Sequence, residues 1–187
     1  FVRATGQPLV AKDMTVVLAK AFGFCYGVER AIDLAYAAAK VFKDKRIFLL
    51  GEIIHNPEVN EQLREMGIQS LKRGQKGYDL SGLTAEDVVI VPAFGAEVET
   101  MDHLKKLGCQ TVDTTCGDVM SVWKRVRQYN KERVTSIIHG KASHEETMAT
   151  SSRALSGDGL GHYLVVYNLG ETDYVCEYIR KGGNRDE

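Results

Sequence analysis

The chain has 187 residues, a formal net charge of -1 at neutral pH and an ordinary apolar content of 44%. This length suits one large domain or two small ones. The balanced, interspersed charge excludes a general binder of nucleic acids or membrane surfaces, and no apolar run has the length of a membrane span or the features of a signal peptide. We therefore expect neither a nucleic-acid partner nor a membrane partner.

Short apolar runs alternate with amphipathic patterns along the chain. Six runs have the length and β-branched composition of buried parallel strands: 14–19, 47–50, 88–91, 110–112, 136–138 and 163–166. Six helices are predicted among them: 29–40, 58–66, 98–107, 118–129, 144–152 and 172–180. This alternation predicts an α/β fold with parallel sheets.

The polar, glycine-containing stretch 71–82 is predicted to be a surface loop or linker between two lobes. We accordingly predict a first lobe of residues 1–78 and a second lobe of residues 79–187. Each lobe then contains one copy of a repeated module, in which a strand is followed by a cysteine and at once by a helix. The module cysteines are Cys25 and Cys116.

The two module cysteines carry the strongest indication of chemistry. A cysteine at a strand-to-helix turn faces the carboxyl edge of a sheet and lies near a helix N-terminus, where the helix dipole and free N–H groups favour a thiolate. Thiolates bind soft metals and iron–sulfur clusters. No pair of cysteines has C-x-x-C spacing, which argues against a zinc finger or a thioredoxin-type motif. The other two cysteines, Cys109 beside a predicted strand and Cys176 on a predicted helix, are predicted to be small buried hydrophobic residues.

Two histidines and a glutamate also follow predicted strands: His55, His144 and Glu146. Ligand groups gather at the carboxyl ends of parallel strands, so these side chains could converge with the cysteines on one face. Histidines near helix N-termini suit an anionic group such as phosphate. Local alternatives stay open: the cysteines could be inert buried thiols, His55 could only cap a turn, and Ser143 with Glu146 has the spacing of a capping box.

Several stretches together resemble one known family. They are Ala21-Phe22-Gly23-Phe24-Cys25-Tyr26-Gly27-Val28 with Arg30-Ala31, Gly51-Glu52-Ile53-Ile54-His55-Asn56-Pro57, Pro92-Ala93-Phe94-Gly95-Ala96, Asp113-Thr114-Thr115-Cys116, and Ser136-Ile137-Ile138-His139-Gly140-Lys141 with Ser143-His144-Glu145-Glu146-Thr147. These stretches are similar to motifs of the 4-hydroxy-3-methylbut-2-enyl diphosphate (HMBPP) reductases, above all those of plants and cyanobacteria. The resemblance extends over nearly the whole chain.

The resemblance implies a cloverleaf of three similar α/β lobes, of which this chain would hold the first two. It implies a [4Fe-4S] cluster that takes one cysteine from each lobe, with Cys25 and Cys116 as ligands and the third cysteine absent from this chain. His55 and His144 would bind the diphosphate of the substrate. Glu146 would relay the proton that lets the substrate hydroxyl leave as water, a role that suits a carboxylate in a closed cavity.

The implied reaction is reductive dehydroxylation of HMBPP to isopentenyl and dimethylallyl diphosphate, in the methylerythritol phosphate route to isoprenoids. The implied electron donor is a ferredoxin or flavodoxin, and the implied location is the bacterial cytoplasm or the plastid stroma. We expect the fragment alone to be inactive, because two thiolates retain a cluster poorly. Glu97 stands where many bacterial members have a histidine, and it cannot supply a cationic contact to diphosphate.

Two other interpretations stay open. The absent third cysteine and Glu97 are compatible with a non-catalytic diphosphate-binding protein of the same fold. Cys25, Cys116 and a histidine could instead form a mononuclear zinc or iron site.

Overall fold

The computed structural model describes residues 2–20, 22–75, 77–157 and 161–182. The helices of these residues are α1 (Val2–Thr5), α2 (Tyr26–Val41), α3 (Pro57–Glu65), α4 (Val98–Leu107), α5 (Gly117–Lys131), α6 (Glu145–Leu155) and α7 (Leu169–Lys181). The strands are β1 (Leu9–Ala11), β2 (Met14–Val16), β3 (Ile47–Leu50), β4 (Ile68–Leu71), β5 (Arg73–Gly74), β6 (Gly77–Tyr78), β7 (Val88–Val91), β8 (Gln110–Asp113), β9 (Ser136–His139) and β10 (Tyr163–Val166).

The main sheet has four parallel strands in the order β4-β3-β7-β8. Its central strands, β3 and β7, are buried at every residue. This agrees with their continuous β-branched and aliphatic composition, which is typical of strands covered on both faces. The predicted α/β fold with parallel sheets is confirmed.

Alternate residues of β3 and β7 point to opposite sides of the main sheet, which gives the sheet two apolar faces. Helices cover both faces. On one side Ile47, Leu49, Val88 and Ile90 join a core with residues of α2 and α3. On the other side Phe48, Leu50, Val89 and Val91 pack with Leu104 of α4. Because the four strands are parallel, the loops after them begin at the same edge of the sheet. The candidate site lies at this edge.

A second, separate sheet contains only β9 and β10, which are parallel. Beside it, α5 and α6 pack together through Trp123, whose indole N–H donates to Thr150 Oγ1 at 3.1 Å. The Arg153 guanidinium stacks 3.7 Å from the centre of the Trp123 ring, and burial lowers the pKa of Arg153 to about 10. None of the helices among the described residues combines the length and apolarity that a bilayer crossing requires.

The predicted lobe boundary between residues 78 and 79 is wrong, because it would cut the main sheet. Strands β3 and β4 precede that point and β7 and β8 follow it, yet β3 pairs directly with β7. The stretch 71–82 is not a linker: it forms the β5–β6 hairpin and contributes Leu80 to the core, with Lys76 outside the described residues. The two sheets separate later in the chain, between β8 and β9.

The predicted parallel strand 14–19 is also wrong. Within it only β2 forms, and β2 pairs antiparallel with β1 while all its residues stay exposed. The turn between them contains only Lys12 and Asp13, with Lys12 at a left-handed φ of 51°. Closing so short a loop costs little entropy, so the local partner wins over a distant strand of the main sheet.

The two remaining cysteines differ from each other. Cys109 is buried as predicted, its thiol donates to the Thr84 carbonyl oxygen at 3.3 Å, and burial raises its pKa. Cys176 is exposed on α7, so the prediction of burial is wrong for this residue. Helix α7 has no buried residue among those described, so it offers no apolar core in which Cys176 could be buried.

Candidate functional site

The two module cysteines each stand at the start of a helix. Cys25 is the N-cap of α2 and Cys116 is the N-cap of α5, both with extended backbone. Within the described residues, neither side chain accepts a hydrogen bond from the first turn of its own helix. Cys25 is exposed and Cys116 is half-buried, so both sulfurs remain available to a ligand.

The first turn of α2 lies directly against the second cysteine. Gly27 is buried, and a β-carbon added there would lie 2.3 Å from the Cys116 sulfur. Arg30, one turn further, donates from Nη1 to the Thr115 carbonyl oxygen at 3.4 Å. A β-carbon at this position would force the sulfur out of its present orientation. The two cysteine turns, far apart in sequence, therefore adjoin each other.

The turn before Cys116 is fixed by hydrogen bonds to the end of β7. Thr114 donates to the Val91 carbonyl oxygen from its backbone nitrogen at 3.1 Å and from its hydroxyl at 2.7 Å. The Cys116 backbone N–H donates to the Ala93 carbonyl oxygen at 2.9 Å. Thr114 is fully buried. The backbone of the Cys116 turn is thus hydrogen-bonded to the end of β7 and to the loop that follows it.

His55 and His144 meet above the Phe94 ring. Their Nε2 atoms lie 3.1 Å apart, although the residues are 89 positions apart in sequence. The His55 ring stacks on Phe94 with centroids 4.6 Å apart and planes 17° from parallel. The structure thus brings the two predicted histidines together, His55 from the loop after β3 of the main sheet and His144 from the loop after β9 of the separate sheet.

For neutral rings, the hydrogen bonds fix the tautomers of His55 and His144. The Glu146 backbone N–H donates to Nδ1 of His144 at 3.2 Å, so a neutral His144 carries its proton on Nε2. That proton is donated to Nε2 of His55, which must then carry its own proton on Nδ1. Nδ1 of His55 lies 3.1 Å from a carboxylate oxygen of Glu52 and donates to it. One chain of hydrogen bonds therefore runs from Glu52 to the start of α6.

The same geometry decides between two local alternatives for the start of α6. The N-cap is His144, whose ring accepts the N–H of Glu146. The capping-box interpretation required Ser143 as the N-cap and is therefore wrong. Because His144 uses one nitrogen to cap the helix, only its Nε2 faces His55.

Glu145 completes a group with the donor types of a metal site. Its carboxylate lies 3.9 Å from Nε2 of His55, and the donor atoms of His55, His144 and Glu145 lie within 4.8 Å of one another. A cation would need a lone pair on both facing Nε2 atoms. The cap of α6 instead leaves the proton on Nε2 of His144, so the group is better suited to an anion.

The carboxylate of Glu146 projects from the first turn of α6, two residues after His144. Its side chain is exposed. The closed cavity expected around Glu146 is therefore not formed by the residues that the structure describes. Its role as a proton relay stays a prediction.

Glu97 is paired with a cation, Arg73. Its carboxylate accepts two hydrogen bonds from Arg73, one of them at 3.0 Å. Arg73 also lies 5.3 Å from the ring centre of Tyr78. Burial raises the pKa of Tyr78, while Arg73 lowers it and the nearby charge of Glu145 raises it further. The Arg73–Glu97 pair and Glu145 thus act on the same tyrosine.

Sequence reasoning missed three positions that shape this site: Gly27, Arg30 and Glu52. Each lies inside a motif that the sequence already displays beside a cysteine or a histidine. The spacing of three between Glu52 and His55 was the one local signal of their contact. The contacts of Gly27 and Arg30 reach residues of the second turn more than 80 positions away, and no local pattern reveals them.

Comparisons with known proteins agree on one family. The family model described as LytB protein matches residues 16–181. The chain is 50% identical to 4-hydroxy-3-methylbut-2-enyl diphosphate reductase of Thermosynechococcus vestitus, over 98% of this chain and 44% of that protein. It is 48% identical to the Synechocystis protein of the same name, over 100% of this chain and 48% of that protein.

Solved structures give the same result. A structure of (E)-4-hydroxy-3-methyl-but-2-enyl diphosphate reductase, the terminal enzyme of the non-mevalonate pathway, superposes with a TM-score of 0.69 at 28% identity and covers 87% of this chain and 54% of that one. The Plasmodium falciparum reductase superposes with a TM-score of 0.72 at 27% identity, over 82% and 45% of the two chains. The chain spans slightly less than half the length of the curated relatives it matches.

Proposed function

The chain belongs to the LytB protein family, and from this premise we propose that it supplies the N-terminal part of an HMBPP reductase. The enzyme would convert HMBPP to isopentenyl and dimethylallyl diphosphate in isoprenoid synthesis. Because the chain spans 44% of its Thermosynechococcus relative, this activity would belong to a longer protein, and the chain alone would be inactive. The family predicted from the motifs is confirmed.

The observation that carries the proposal is the contact between the two cysteine-capped helices. The space left by Gly27 at the Cys116 sulfur and the uncapped side chains of Cys25 and Cys116 fit a shared thiolate-bound group. Cys25 and Cys116 would be two ligands of a [4Fe-4S] cluster, with the third from the part of the relatives that this chain does not span. When bound, the cluster would supply the electrons that the reduction needs.

The histidines would hold the diphosphate of the substrate. His144 opens α6, so an anion beside its Nε2 also gains from the positive end of the helix dipole. His55 would contact the same phosphate oxygens, since the two Nε2 atoms are 3.1 Å apart. The stacked Phe94 ring fixes the plane of His55 and so the direction of its donor.

Glu146 would donate the proton to the departing hydroxyl. The reaction takes up two electrons and two protons: the carbon–oxygen bond breaks, one proton leaves with the hydroxyl as water, and the other is added to carbon. Glu146 lies two residues after His144 on the same helix turn, so binding of the diphosphate would fix the distance between the acid and the hydroxyl. A ferredoxin or flavodoxin would deliver the electrons.

The test is a chimera that continues this chain with the remaining part of the Thermosynechococcus vestitus relative. It would be reconstituted with iron and sulfide without oxygen, and HMBPP reduction would be assayed with a strong one-electron donor. We expect cluster absorbance and both product isomers. Cys116→Ser should remove the absorbance, whereas Glu146→Gln should keep it and lower turnover at least a hundredfold.

The complete Thermosynechococcus protein is the positive control. A chimera that folds but shows neither absorbance nor turnover, while the control shows both, contradicts the proposal. Tight binding of inorganic diphosphate by such an inactive chimera would favour the non-catalytic binding protein instead.

A further inference from the structure

We propose that Glu52 sets the charge state of the His55–His144 pair, so that the pair takes up one proton when it binds diphosphate. The inference rests on the proposed role of the pair as a diphosphate site. It concerns how that site acquires the positive charge that an anion requires. Glu52 would act as a positioning residue, since it touches His55 rather than the ligand.

Without a ligand, the pair has no N–H to offer. A single proton lies between the two Nε2 atoms, which are 3.1 Å apart, and His144 donates it to His55. The remaining proton of His55 is on Nδ1 and is donated to Glu52. Both rings are neutral in this arrangement, and their hydrogen bonds are satisfied within the chain from Glu52 to the Glu146 backbone.

A phosphate oxygen can be held by both rings only if both Nε2 atoms carry protons. His55 must then gain a second proton, on Nε2, while Nδ1 keeps the first. Two N–H groups that face each other are unfavourable unless an acceptor lies between them. The proton and the anion therefore bind together, and the balance is one proton taken from solvent for each diphosphate bound.

Glu52 makes this protonated state accessible. As an imidazolium, His55 donates from Nδ1 to the Glu52 carboxylate, and a charge-assisted bond of this kind is about twice as strong as a neutral one. The Phe94 ring below His55 carries no charge. Arg73, which like Glu145 acts on Tyr78, is already engaged by Glu97.

Glu145 has the opposite effect, although it is also a carboxylate near His55. It faces Nε2 at 3.9 Å, which is the nitrogen that the anion must use. Glu145 therefore competes with the diphosphate, whereas Glu52 supports it from the other nitrogen. This contrast gives two matched substitutions, Glu52→Gln and Glu145→Gln, with predicted effects of opposite sign.

The experiment measures binding of inorganic diphosphate to the chain by calorimetry, in buffers of different ionisation enthalpy that reveal proton uptake. We expect one proton per diphosphate for the natural sequence. Glu52→Gln should weaken binding about tenfold and reduce the proton uptake. Glu145→Gln should strengthen binding about threefold and leave the uptake near one proton. Glu52 lies on the surface and Glu145 is only half-buried, so both variants should fold.

Nitrogen NMR of the histidine rings gives an independent readout. In the free chain we expect a neutral His55 protonated on Nδ1 and a neutral His144 protonated on Nε2, with His55 becoming doubly protonated on addition of diphosphate. The opposite tautomer of His144 would overturn the inference. So would diphosphate binding without proton uptake, or an unchanged affinity in Glu52→Gln.

These outcomes separate the inference from the proposed function. Binding without proton uptake contradicts the inference alone and leaves the histidines as a diphosphate site. Complete absence of diphosphate binding contradicts both.

Discussion

The two cysteine turns share a sequence pattern but differ in what holds them. The turn at Cys116 follows a strand of the main sheet and is held by three hydrogen bonds, two from Thr114 to the end of β7 and one from Cys116 itself to Ala93 in the loop after β7. The turn at Cys25 follows an exposed hairpin, and Cys25 itself is exposed. The same residue pattern therefore does not produce the same local support.

The difference indicates that the first turn takes part of its support from the second, beside the packing of α2 in the core. The contacts that join the two turns are those of Gly27 with the Cys116 sulfur and of Arg30 with the Thr115 carbonyl oxygen. A destabilising substitution at the second turn should consequently affect both turns. A substitution in the segment before the first turn should affect only its own surroundings. Four substitutions, each with a partner at the other turn, test this dependence.

The largest effect is expected at Gly95, beside the second turn. Gly95 has a left-handed φ of 78°, and an added β-carbon would lie 2.1 Å from the Trp123 ring. Gly95→Ala should therefore combine backbone strain with overpacking and lower the free energy of unfolding by about 3 kcal/mol. Urea unfolding measures the change.

The partner of this substitution is Gly23→Ala, before the first turn. Gly23 also has a left-handed φ, 100°, but an added β-carbon would meet no atom within 4 Å. Only the strain remains, and we expect a loss of about 1 kcal/mol. Equal losses at the two glycines would show that packing does not distinguish the turns.

The second effect concerns Asp87, which directly precedes β7, the strand to which the Cys116 turn is hydrogen-bonded. The buried Asp87 carboxylate accepts hydrogen bonds from Arg46, both at 2.7 Å, and from the Thr84 backbone at 2.6 Å. Asp87→Asn should cost about 2 kcal/mol at neutral pH, because a buried charged acceptor is lost. The matched change at the exposed Asp13, in the hairpin before Cys25, should cost nothing measurable.

The same substitution predicts a pH dependence. The hydrogen bonds from Arg46 hold the pKa of Asp87 below its ordinary value. The folded state thus favours the carboxylate, which adds stability above the unfolded-state pKa of about 3.9 and loses it as the pH falls through the lower folded-state pKa. Between pH 5 and about 2 the unfolding free energy of Asp87→Asn should therefore fall less steeply. Parallel pH profiles would contradict this assignment.

The third effect is smaller. Thr114→Val removes the hydroxyl that donates to the Val91 carbonyl oxygen but keeps the backbone donor to the same oxygen. We expect a loss of about 1 kcal/mol by urea unfolding. The reverse change at the first turn, Val17→Thr, alters an exposed side chain and should stay within about 0.5 kcal/mol. A similar cost at both positions would argue against a firmer second turn.

The smallest change in stability is expected at the contact itself. Gly27→Ala should cost less than about 1 kcal/mol, because the Cys116 sulfur can rotate away from the new β-carbon. The displaced thiol should react faster with iodoacetamide, as located by mass spectrometry. Gly117→Ala, at the start of α5, meets nothing within 4 Å and should leave Cys116 labelling unchanged. Unaltered labelling in Gly27→Ala would mean that the helices do not adjoin in solution.

The sequence predicted best those strands whose apolar residues are contiguous. Strands 47–50, 88–91 and 163–166 have the predicted bounds, and the first two are buried at every residue. The edge strand β4 was missed, because its polar Gln69 and Ser70 lie exposed and interrupt the apolar signal. The apolar run 14–19 correctly indicated a strand but did not indicate which strand it pairs with. The two-residue turn before it makes β1 its neighbour.

The candidate site shows a similar limit. The positions of His55 and His144 after predicted strands suggested that they converge, but β3 and β9 belong to different sheets, so the rule for a single parallel sheet does not explain their meeting. The tautomers depend on which nitrogen caps α6, a fact that only atomic positions reveal. The lobe boundary failed for the same reason, since a polar stretch shows where the chain is exposed but not which strands pair across it.

Trp123 offers a fluorescence signal from the interface between α5 and α6. It is the only tryptophan of the chain, and it lies buried between α5, which begins at Cys116, and α6, which begins beside His144 and Glu146. Its indole is hydrogen-bonded to Thr150 and covered by Arg153. Any displacement of one helix against the other changes the polarity around this ring. The chain therefore contains its own fluorescent probe, whose emission wavelength reports the spacing of the two helices without any added label.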